Sequence, residues 1–383
     1  MQLQQPLSGI RILDFGRVLS APYGTLMLAD LGADVVKVEH PEKGDDTRSF
    51  GPPFVHDISS YFLSINRGKR SIALDLKSPK DKNIAIQLAQ KADVVVENFR
   101  PGVMEKLGLG ASILRENNPK LIYASLSGYG RDHLDPGYDL MMQGLSGIPS
   151  ITGPVDGTPY KCGASIADLV AGLNLSQAVL AALFHRERTG EGCIVDISMM
   201  DGQLSLLTYH ASAYLNAGME PKRMGNGHPS IHPFQPYECA DGFLNICVGN
   251  DRIFARLAMA MGEPQWIEDS RFIRNPDRVA YREELDALLN PKFLSASRFF
   301  WKKKLQEHGV PADIVASIPE ALHAAEERGK IVSHVHPHRE ELRVFSLPLP
   351  YKIGDFPQHA QRRAPLLGEH STEVVEEWLH GDA

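Results

Sequence analysis

The first two hundred residues alternate short β-branched runs with helical segments, and this alternation constrains the fold more than any other feature. Residues 9–16 (GIRILDFG) and 34–40 (DVVKVEH) read as strands on either side of a helix over 20–33 (SAPYGTLMLADLGA), with Ser20 as its N-cap. A strand–helix–strand unit of this length favours a parallel sheet with right-handed crossovers. The pattern repeats to about residue 200, which predicts an α/β class with a Rossmann-like, doubly wound large domain.

The character of the chain changes after about residue 215. Residues 224–242 (MGNGHPSIHPFQPYECADG) are rich in Gly, Pro and His and indicate a loop or linker. Mixed strand and helix patterns follow. We therefore predict that 1–215 forms the N-terminal part of the large α/β domain, that 216–320 is a smaller α+β domain with its linker, and that 321–383 is the C-terminal part of the chain.

Composition narrows the classes of partner and compartment. The 383 residues carry a net charge of -7 with a pI near 6.1, which argues against nucleic acid and anionic membranes as partners. No apolar run approaches the roughly 20 residues that span a bilayer. The N-terminus lacks signal-peptide features, and the four cysteines form no CxxC pair, so we expect a reduced, cytoplasmic protein.

Several catalytic and cofactor motifs are absent. No strand is followed by GxGxxG or GxxxxGK[ST], which disfavours a nicotinamide dehydrogenase. Residues 163–167 (GASIA) nearly match the GxSxG nucleophile elbow, which leaves a hydrolase using Ser165 as an alternative. His334, His336 and His338 alternate as on one strand face, but Pro337 disrupts strand pairing and no acidic second shell is near, so no metal site is predicted.

Asp168 is the candidate catalytic residue. It stands near the start of an otherwise apolar helical segment, where an ionised carboxylate is costly unless something holds it. One interpretation makes it the N-cap, which accepts hydrogen bonds from the first turn. The other makes it a nucleophile that the helix N-terminus keeps ionised.

Seven segments in order, spread over almost the whole chain, resemble the class III CoA-transferases, the family of formyl-CoA transferase and carnitine CoA-transferase. They are 13–48, 64–77 (SINRGKRSIALDLK), 92–110 (ADVVVENFRPGVMEKLGLG), 137–147 (GYDLMMQGLSG), 167–172 (ADLVAG), 185–202 (HRERTGEGCIVDISMMDG) and 225–242. The resemblance implies that Asp168 is the nucleophile that exchanges CoA between carboxylic acids through a mixed anhydride and an aspartyl-CoA thioester. It favours the nucleophile over the cap.

The resemblance also implies binding sites for coenzyme A, which would be a substrate rather than a tightly bound cofactor. The positions that correspond to CoA contacts are Leu19, Ser20, Leu74, Asp75, Leu76, Lys77, Asn98, Phe99, Arg100 and Lys106. His40 stands where formyl-CoA transferase has an arginine near the adenine. Gly225, Asn226 and Gly227 match a loop that covers the site in the family.

The family further implies an interlocked homodimer in which the C-terminal part returns to the large domain. Relatives that racemise 2-methylacyl-CoA esters pair the aspartate with a histidine, but Tyr138 stands at that position, and a phenol is a poor base at neutral pH. Racemisation is thus the disfavoured alternative. Asp139 matches an acidic position implicated in the transferases. The sequence identifies neither the acyl donor nor the acceptor acid. A carboxylic-acid acceptor such as succinate is one candidate, and a carnitine-like or aromatic acid is another. His228, His232 or Gln235 could contact the acceptor carboxylate.

Overall fold

The computed structural model of the protein describes residues 5–116 and 118–381. The chain forms two compact units. The first contains the residues up to Ile148, Lys161–Ser212 and the residues from Glu326 onward, and the second contains Pro149–Tyr160 and Ala213–Ala325. The domain limits at 215 and 320 that the sequence suggested stay a prediction.

Strands and helices alternate as the sequence predicted over the first two hundred residues. The strands are β1 (Arg11–Asp14), β2 (Asp34–Glu39), β3 (Phe54–Val55), β4 (Ile58–Ser59), β5 (Arg70–Ala73), β6 (Val94–Glu97), β7 (Ile122–Ser127), β8 (Ile194–Ser198), β9 (Phe234–Cys239), β10 (Gly242–Cys247), β11 (Ala312–Ile314), β12 (Val332–His336) and β13 (Arg339–Ser346). The helices are α1 (Ser20–Asp30), α2 (Ser60–Ile65), α3 (Pro79–Lys91), α4 (Val103–Leu107), α5 (Ala111–Glu116), α6 (Asp139–Leu145), α7 (Ile166–Thr189), α8 (Met199–Ser205), α9 (Thr208–Ala217), α10 (Asp251–Met261), α11 (Asn275–Ala280), α12 (Arg282–Leu294), α13 (Arg298–Glu307), α14 (Ile318–Glu327) and α15 (Ser371–Val375).

The first unit is built on a six-stranded sheet in the order β5-β2-β1-β6-β7-β8, in which every described pairing is parallel. Side chains alternate between the two faces, so neighbouring residues of one strand enter different cores. Ile12 and Ile122 pack with α1 and α7 on one face, whereas Leu13 and Tyr123 pack with α3 and α5 on the other. The predicted α/β class with a parallel sheet is confirmed.

The second unit has its own core. β9, β10 and β11 form an antiparallel sheet, and α10, α12 and α13 supply the apolar side chains that cover it. Phe254, Leu285, Phe293 and Trp301 are all buried there. This unit therefore mixes an antiparallel sheet with helices.

Helix α7 is long and apolar enough to span a membrane by length and hydropathy. The expectation that no segment has these properties is therefore wrong. Its buried residues Ala171, Leu175 and Val179 belong to the core of the first unit. The apolar composition of α7 thus has a structural use, because the helix packs against both the sheet and α1.

Helices α1 and α7 cross at a pair of glycines. A Cβ atom on Gly172 would lie 2.6 Å from the carbonyl oxygen of Ser20, and one on Gly24 would lie 2.7 Å from the carbonyl oxygen of Gly172. Real Cβ atoms do not approach backbone this closely, so the crossing depends on glycine. Because Ser20 precedes Gly24 by one turn and Asp168 precedes Gly172 by one turn, the crossing brings the two helix N-termini together.

The crossing leads to a stability prediction. Gly172→Ala should lower the free energy of unfolding by about 1–3 kcal/mol, because the new methyl group meets backbone that cannot move aside. Gly144→Ala is the matched control, since Gly144 lies in α6 and a Cβ there would meet no atom within 4 Å. Urea unfolding of both variants measures the difference. If the two variants have the same free energy of unfolding, the close crossing does not require glycine at position 172.

Candidate active site

Buried charges fix the loop that leads from β1 into α1. Lys37 Nζ donates to the carbonyl oxygen of Gly16 at 2.6 Å and forms an ion pair with Asp45 at 2.7 Å. Asp14 accepts a hydrogen bond from the Gly16 amide and pairs with Lys69. Burial raises the pKa of Asp45, but the charge of Lys37 and the hydrogen bonds from Lys37 and Thr47 together lower it to about 2. A buried network of ion pairs and hydrogen bonds of this kind holds the loop in one conformation.

The same loop carries a strained residue and a two-point clamp. Val18 adopts φ 62°, a left-handed conformation that is uncommon for a β-branched residue. Asn98 fixes the backbone just before it, because its Oδ1 accepts from the Arg17 amide at 2.8 Å and its Nδ2 donates to the Arg17 carbonyl at 2.9 Å. Asn98 Nδ2 also lies 3.2 Å from the Ser20 hydroxyl.

A cavity of about 290 Å³ opens beside Asp168. We call it the Asp168 cavity, and its lining residues are Arg17, Val18, Ser20, Asp46, Asn98, Phe99, Arg100, Pro101, Leu126, Ser127, Gly128, Asp135, Pro136, Gly137, Tyr138, Asp139, Asp168 and Met199. It thus brings together the candidate nucleophile, both candidate supporting residues and four of the residues assigned to CoA.

Asp168 lies in the first turn of α7, whereas Ser165 occupies the N-cap position. The interpretation of Asp168 as the cap is therefore wrong. The prediction that the helix N-terminus keeps Asp168 ionised stays a prediction. Burial raises its pKa most, the nearby Asp139 raises it further and a hydrogen bond from Ser20 lowers it, so that the pKa is raised to about 6. The carboxylate is half-buried, mostly ionised at pH 7 and more basic than an ordinary aspartate.

Asp139 is held in place by two donors. Its Oδ1 accepts from the Ala167 amide at 2.9 Å and its Oδ2 accepts from Gln143 at 2.8 Å. The Ala167 amide belongs to the first turn of α7, so Asp139 satisfies an N-terminal N–H of the helix that carries Asp168. Asp139 therefore fixes local structure and also supplies a charge beside Asp168, whereas its part in the transferase reaction stays a prediction.

A second cavity, of about 350 Å³, shares Arg17 and Phe99 with the first. We call it the Lys77 cavity. The CoA-assigned residues that line it are Leu74, Asp75, Leu76, Lys77 and Phe99, together with His40. Lys43 and Arg17 add cationic side chains. The two cavities are therefore neighbours, with Arg17 and Phe99 in the wall of each.

Two residues assigned to CoA binding, Leu19 and Lys106, are absent from the described linings of both cavities. Leu19 is buried and is the N-cap residue of α1, so its contact with a ligand could only be through backbone. Lys106 is exposed on α4, one residue before Leu107, which lines the Lys77 cavity. Their roles in CoA binding stay predictions.

The candidate acceptor residues belong to the second unit. His232 is fully buried, and its Nε2 lies 3.3 Å from Asp286, so it is enclosed within that unit and cannot meet an acceptor carboxylate. Gln235 donates to both oxygens of Asp286, at 2.9 Å and 3.0 Å. Arg282 donates to the carbonyl oxygen of His228. The covering role of Gly225, Asn226 and Gly227, which precede His228, stays a prediction.

Two alternative sites lack the local structure that they need. Ser165 is preceded by irregular chain rather than by a strand, so the strand–turn–helix context of a nucleophile elbow is missing. His334 and His336 contact the carbonyl oxygens of Ala360 and Val55 through Nε2 at 2.9 Å and 3.1 Å, which places N–H groups rather than lone pairs at those positions. His338 lies beyond the end of β12.

Sequence reasoning missed residues whose position depends on tertiary structure. Arg17 and Asp46 form a bidentate ion pair in the wall of the Asp168 cavity, although 29 positions separate them. Tyr61 lies near the nucleophile: burial raises its pKa to about 12, and the charges of Asp168, Asp139 and Asp45 contribute. A left-handed Val18 has no signal in the sequence, because β-branched residues favour strands.

Comparison with known proteins identifies the family of the chain. The model of CoA-transferase family III matches residues 7–371. The succinate–glutarate CoA-transferase of Agrobacterium fabrum is 39% identical over 97% of this chain and 95% of that protein. The acetyl-CoA:oxalate CoA-transferase of Acetobacter aceti is 41% identical over 82% of each chain. The crystal structure of a CAIB/BAIF family protein from Brucella suis matches with a TM-score of 0.87 and 37% identity, covering 98% of this chain and 100% of that one.

The chain belongs to CoA-transferase family III, and the resemblance inferred from the seven sequence segments is confirmed. The protein is therefore an enzyme, a CoA-transferase that acts on acyl-CoA and carboxylate substrates.

The charge of Asp139 should shift the pH dependence of the reaction. For a nucleophilic carboxylate, kcat/KM falls as the pH drops through its free-enzyme pKa, here about 6. Since Asp139 raises that pKa, Asp139→Asn should move this acidic limb to lower pH by roughly half a unit or more, while the Asn oxygen still accepts from Ala167.

Asp135→Asn is the matched control, because Asp135 lines the same cavity but is not among the causes of the Asp168 shift. A substrate phosphate, with a second pKa near ~6, also titrates in this range, but its titration is the same with every variant. A difference between variants therefore reports on the Asp168 pKa. If the acidic limbs of the Asp139→Asn and Asp135→Asn enzymes lie at the same pH, the electrostatic role of Asp139 is contradicted.

Proposed function

We propose that the enzyme transfers CoA through covalent intermediates on Asp168. An Asp168 oxygen attacks the thioester carbonyl of the donor, a C–O bond forms, the C–S bond breaks, and a mixed anhydride and CoA thiolate result. The thiolate attacks the aspartyl carbonyl and releases the donor acid as its carboxylate. This leaves an aspartyl-CoA thioester, and one hard exchange becomes easier acyl transfers.

The acceptor completes the cycle by the same steps in reverse. Its carboxylate attacks the aspartyl thioester, releases CoA thiolate and forms a second mixed anhydride. The thiolate then attacks the acceptor carbonyl, which yields the new acyl-CoA and regenerates the Asp168 carboxylate. Every step exchanges anionic groups, so no net proton is consumed.

The observation that carries this proposal is a basic yet largely ionised carboxylate in the wall of a cavity that adjoins a second, lysine-lined cavity. A pKa near 6 makes Asp168 a better nucleophile than an aspartate at its ordinary pKa of ~3.9, and it still leaves most of the population ionised at neutral pH. We place the adenosine end of CoA in the Lys77 cavity beside His40, Lys43 and Lys77, and the thioester in the Asp168 cavity.

We propose a short dicarboxylate as the acceptor, with succinyl-CoA as a donor. The relatives from Agrobacterium fabrum and Acetobacter aceti carry the names of succinate, glutarate and oxalate as substrates. Arg100 supports the proposal, since its exposed cationic side chain lines the Asp168 cavity and is suited to a second carboxylate.

Asp168→Asn tests the mechanism, because the amide has nearly the same shape and cannot form the anhydride. Exchange of CoA from succinyl-CoA to succinate, glutarate or oxalate should fall by at least about 10⁴-fold, below detection, since the whole covalent route is lost. Isotopically labelled acceptors and liquid chromatography of the CoA esters measure the exchange.

Ser165→Ala is the control, since a hydrolase that used Ser165 would lose activity there and keep it in the Asp168 variant. Full exchange by the Asp168→Asn enzyme would contradict the covalent mechanism. Exchange only with carnitine-like or aromatic acids would contradict the proposed acceptor and leave the mechanism standing.

We also propose that the enzyme is an interlocked homodimer, as the family resemblance implies. The first unit exposes large apolar side chains on the side of its sheet that carries α6, α7 and α8. They are Leu140, Met141, Leu145, Leu173, Leu180, Phe184, Leu204 and Leu206. Contiguous exposed apolar surface is the usual mark of an interface.

The dimer predicts a mass of twice 42.3 kDa in light scattering, with loss of folded protein rather than release of folded monomer on dilution. Phe184→Ser should weaken the assembly. Ile113→Ser, on α5 at the opposite face of the sheet, should leave it intact. A folded, active monomer of the unaltered protein would contradict the proposal.

A further inference from the structure

The Ser20 hydroxyl lies between Asn98 and Asp168, at the point where α1 and α7 cross. It is buried in the wall of the Asp168 cavity. The family resemblance assigns this position only to CoA binding. Its surroundings point to a different use, because both neighbours of the hydroxyl are polar and one of them is the proposed nucleophile.

The orientation of the Asn98 amide is fixed by the backbone. Its Oδ1 accepts from the Arg17 amide at 2.8 Å, and its Nδ2 donates to the Arg17 carbonyl at 2.9 Å. A flipped amide would place oxygen against carbonyl oxygen and nitrogen against N–H, so only one orientation satisfies both contacts. The group that Asn98 presents to Ser20 is therefore an N–H donor.

That donor determines where the serine proton points. Asn98 Nδ2 lies 3.2 Å from Ser20 Oγ and occupies an acceptor site of the hydroxyl. Because Asn98 fills this acceptor site, the hydroxyl proton is available to another acceptor, and the Asp168 carboxylate in the wall of the same cavity is the one that Ser20 reaches. The hydrogen bonds form a chain with a single direction, from Asn98 to Ser20 to Asp168.

The position of Ser20 relative to Asp168 is not adjustable. The Ser20 carbonyl oxygen packs against Gly172, where an added Cβ would lie only 2.6 Å away, and Gly172 follows Asp168 by one helical turn. The α1–α7 crossing therefore fixes the donor and the nucleophile with respect to each other. A rigid donor of this kind selects one rotamer of the carboxylate.

We propose that Ser20 is a positioning residue for catalysis: its hydroxyl, oriented by Asn98, holds one oxygen of Asp168 and leaves the other free to attack the thioester. The role rests on the proposed covalent function of Asp168. The hydrogen bond also favours the ionised carboxylate and so opposes the combined effect of burial and Asp139. Ser20 thereby keeps Asp168 reactive at neutral pH while its burial makes it more basic.

The test compares the pH dependence of kcat/KM for the full-length wild type, Ser20→Ala, Ser20→Thr and Ser176→Ala. Ser20→Ala removes a hydrogen bond to a charged group, so the acidic limb should move to higher pH by about one unit. Activity should recover when the pH is raised above the new midpoint. Ser20→Thr retains the hydroxyl and should restore the wild-type midpoint.

Ser176→Ala is the matched control, because Ser176 is a buried serine of α7 that donates to the carbonyl oxygen of Leu173 and lines neither cavity. It should leave the midpoint unchanged. A Ser20→Ala limb that coincides with the wild-type limb would overturn the proposal, as would an equal displacement in the Ser176 variant.

A second readout separates this inference from the proposed function. Carbon-13 NMR of the protein labelled at its aspartate carboxyl groups, assigned with Asp168→Asn, gives the Asp168 pKa without any turnover. If the wild type exchanges no CoA but its Asp168 pKa rises on Ser20→Ala, the proposed function fails while the hydrogen bond stands. An Asp168 pKa that is the same in both proteins would reject the role of Ser20 even in an active enzyme.

Discussion

The close crossing of α1 and α7 at Gly24 and Gly172 is the contact on which the active site depends. Each helix begins at the carboxyl edge of the parallel sheet, where open α/β sheets bind their ligands. A pair of larger residues at the crossing would separate the axes. Ser20 would then move away from Asp168 and from Asn98. The same contact therefore serves packing and chemistry.

The electrostatics of the site result from opposing effects on one carboxylate. Burial and Asp139 favour the protonated form of Asp168, whereas the Ser20 hydroxyl favours the ionised form. The result is a carboxylate basic enough to attack a thioester and still ionised in neutral solution. Other buried acids differ because their partners differ. Asp45 has a lowered pKa since it pairs with Lys37, whereas burial raises the pKa of Glu97 to about 7 with only Ser125 and the Phe99 amide as donors.

The parts of the fold that the sequence predicted are those that arise from local patterns. β-branched runs and helical segments alternate clearly before residue 200, and the parallel sheet follows from that order. The position of Asp168 near the start of α7 was also readable, although the identity of the N-cap residue and the raised pKa of Asp168 were not. A cap depends on the first helical residue, and a pKa depends on neighbours such as Asp139 that are 29 positions distant in the chain. The expectation that no segment is long and apolar enough to span a membrane failed for a related reason. Length and hydropathy do not distinguish a membrane span from an apolar helix in a protein core.

Contacts between distant loops could not be read from the sequence. The pairing of Arg17 with Asp46, the strained Val18 and the clamp made by Asn98 all arise from folding, and no local motif encodes them. His232 shows the opposite limit: a histidine beside prolines in a polar loop suggests a ligand contact, yet its side chain is buried beside Asp286. Polarity in the sequence does not distinguish a binding residue from a buried internal one.

The central claim is that Asp168 becomes acylated during turnover. The most direct measurement is peptide mass spectrometry of the enzyme incubated with succinyl-CoA and then treated with hydroxylamine. The account predicts a hydroxamate on Asp168, formed from the anhydride or the aspartyl-CoA thioester, and none in the absence of succinyl-CoA. A hydroxamate at another residue, or an unmodified Asp168 in an enzyme that is exchanging CoA, would contradict it.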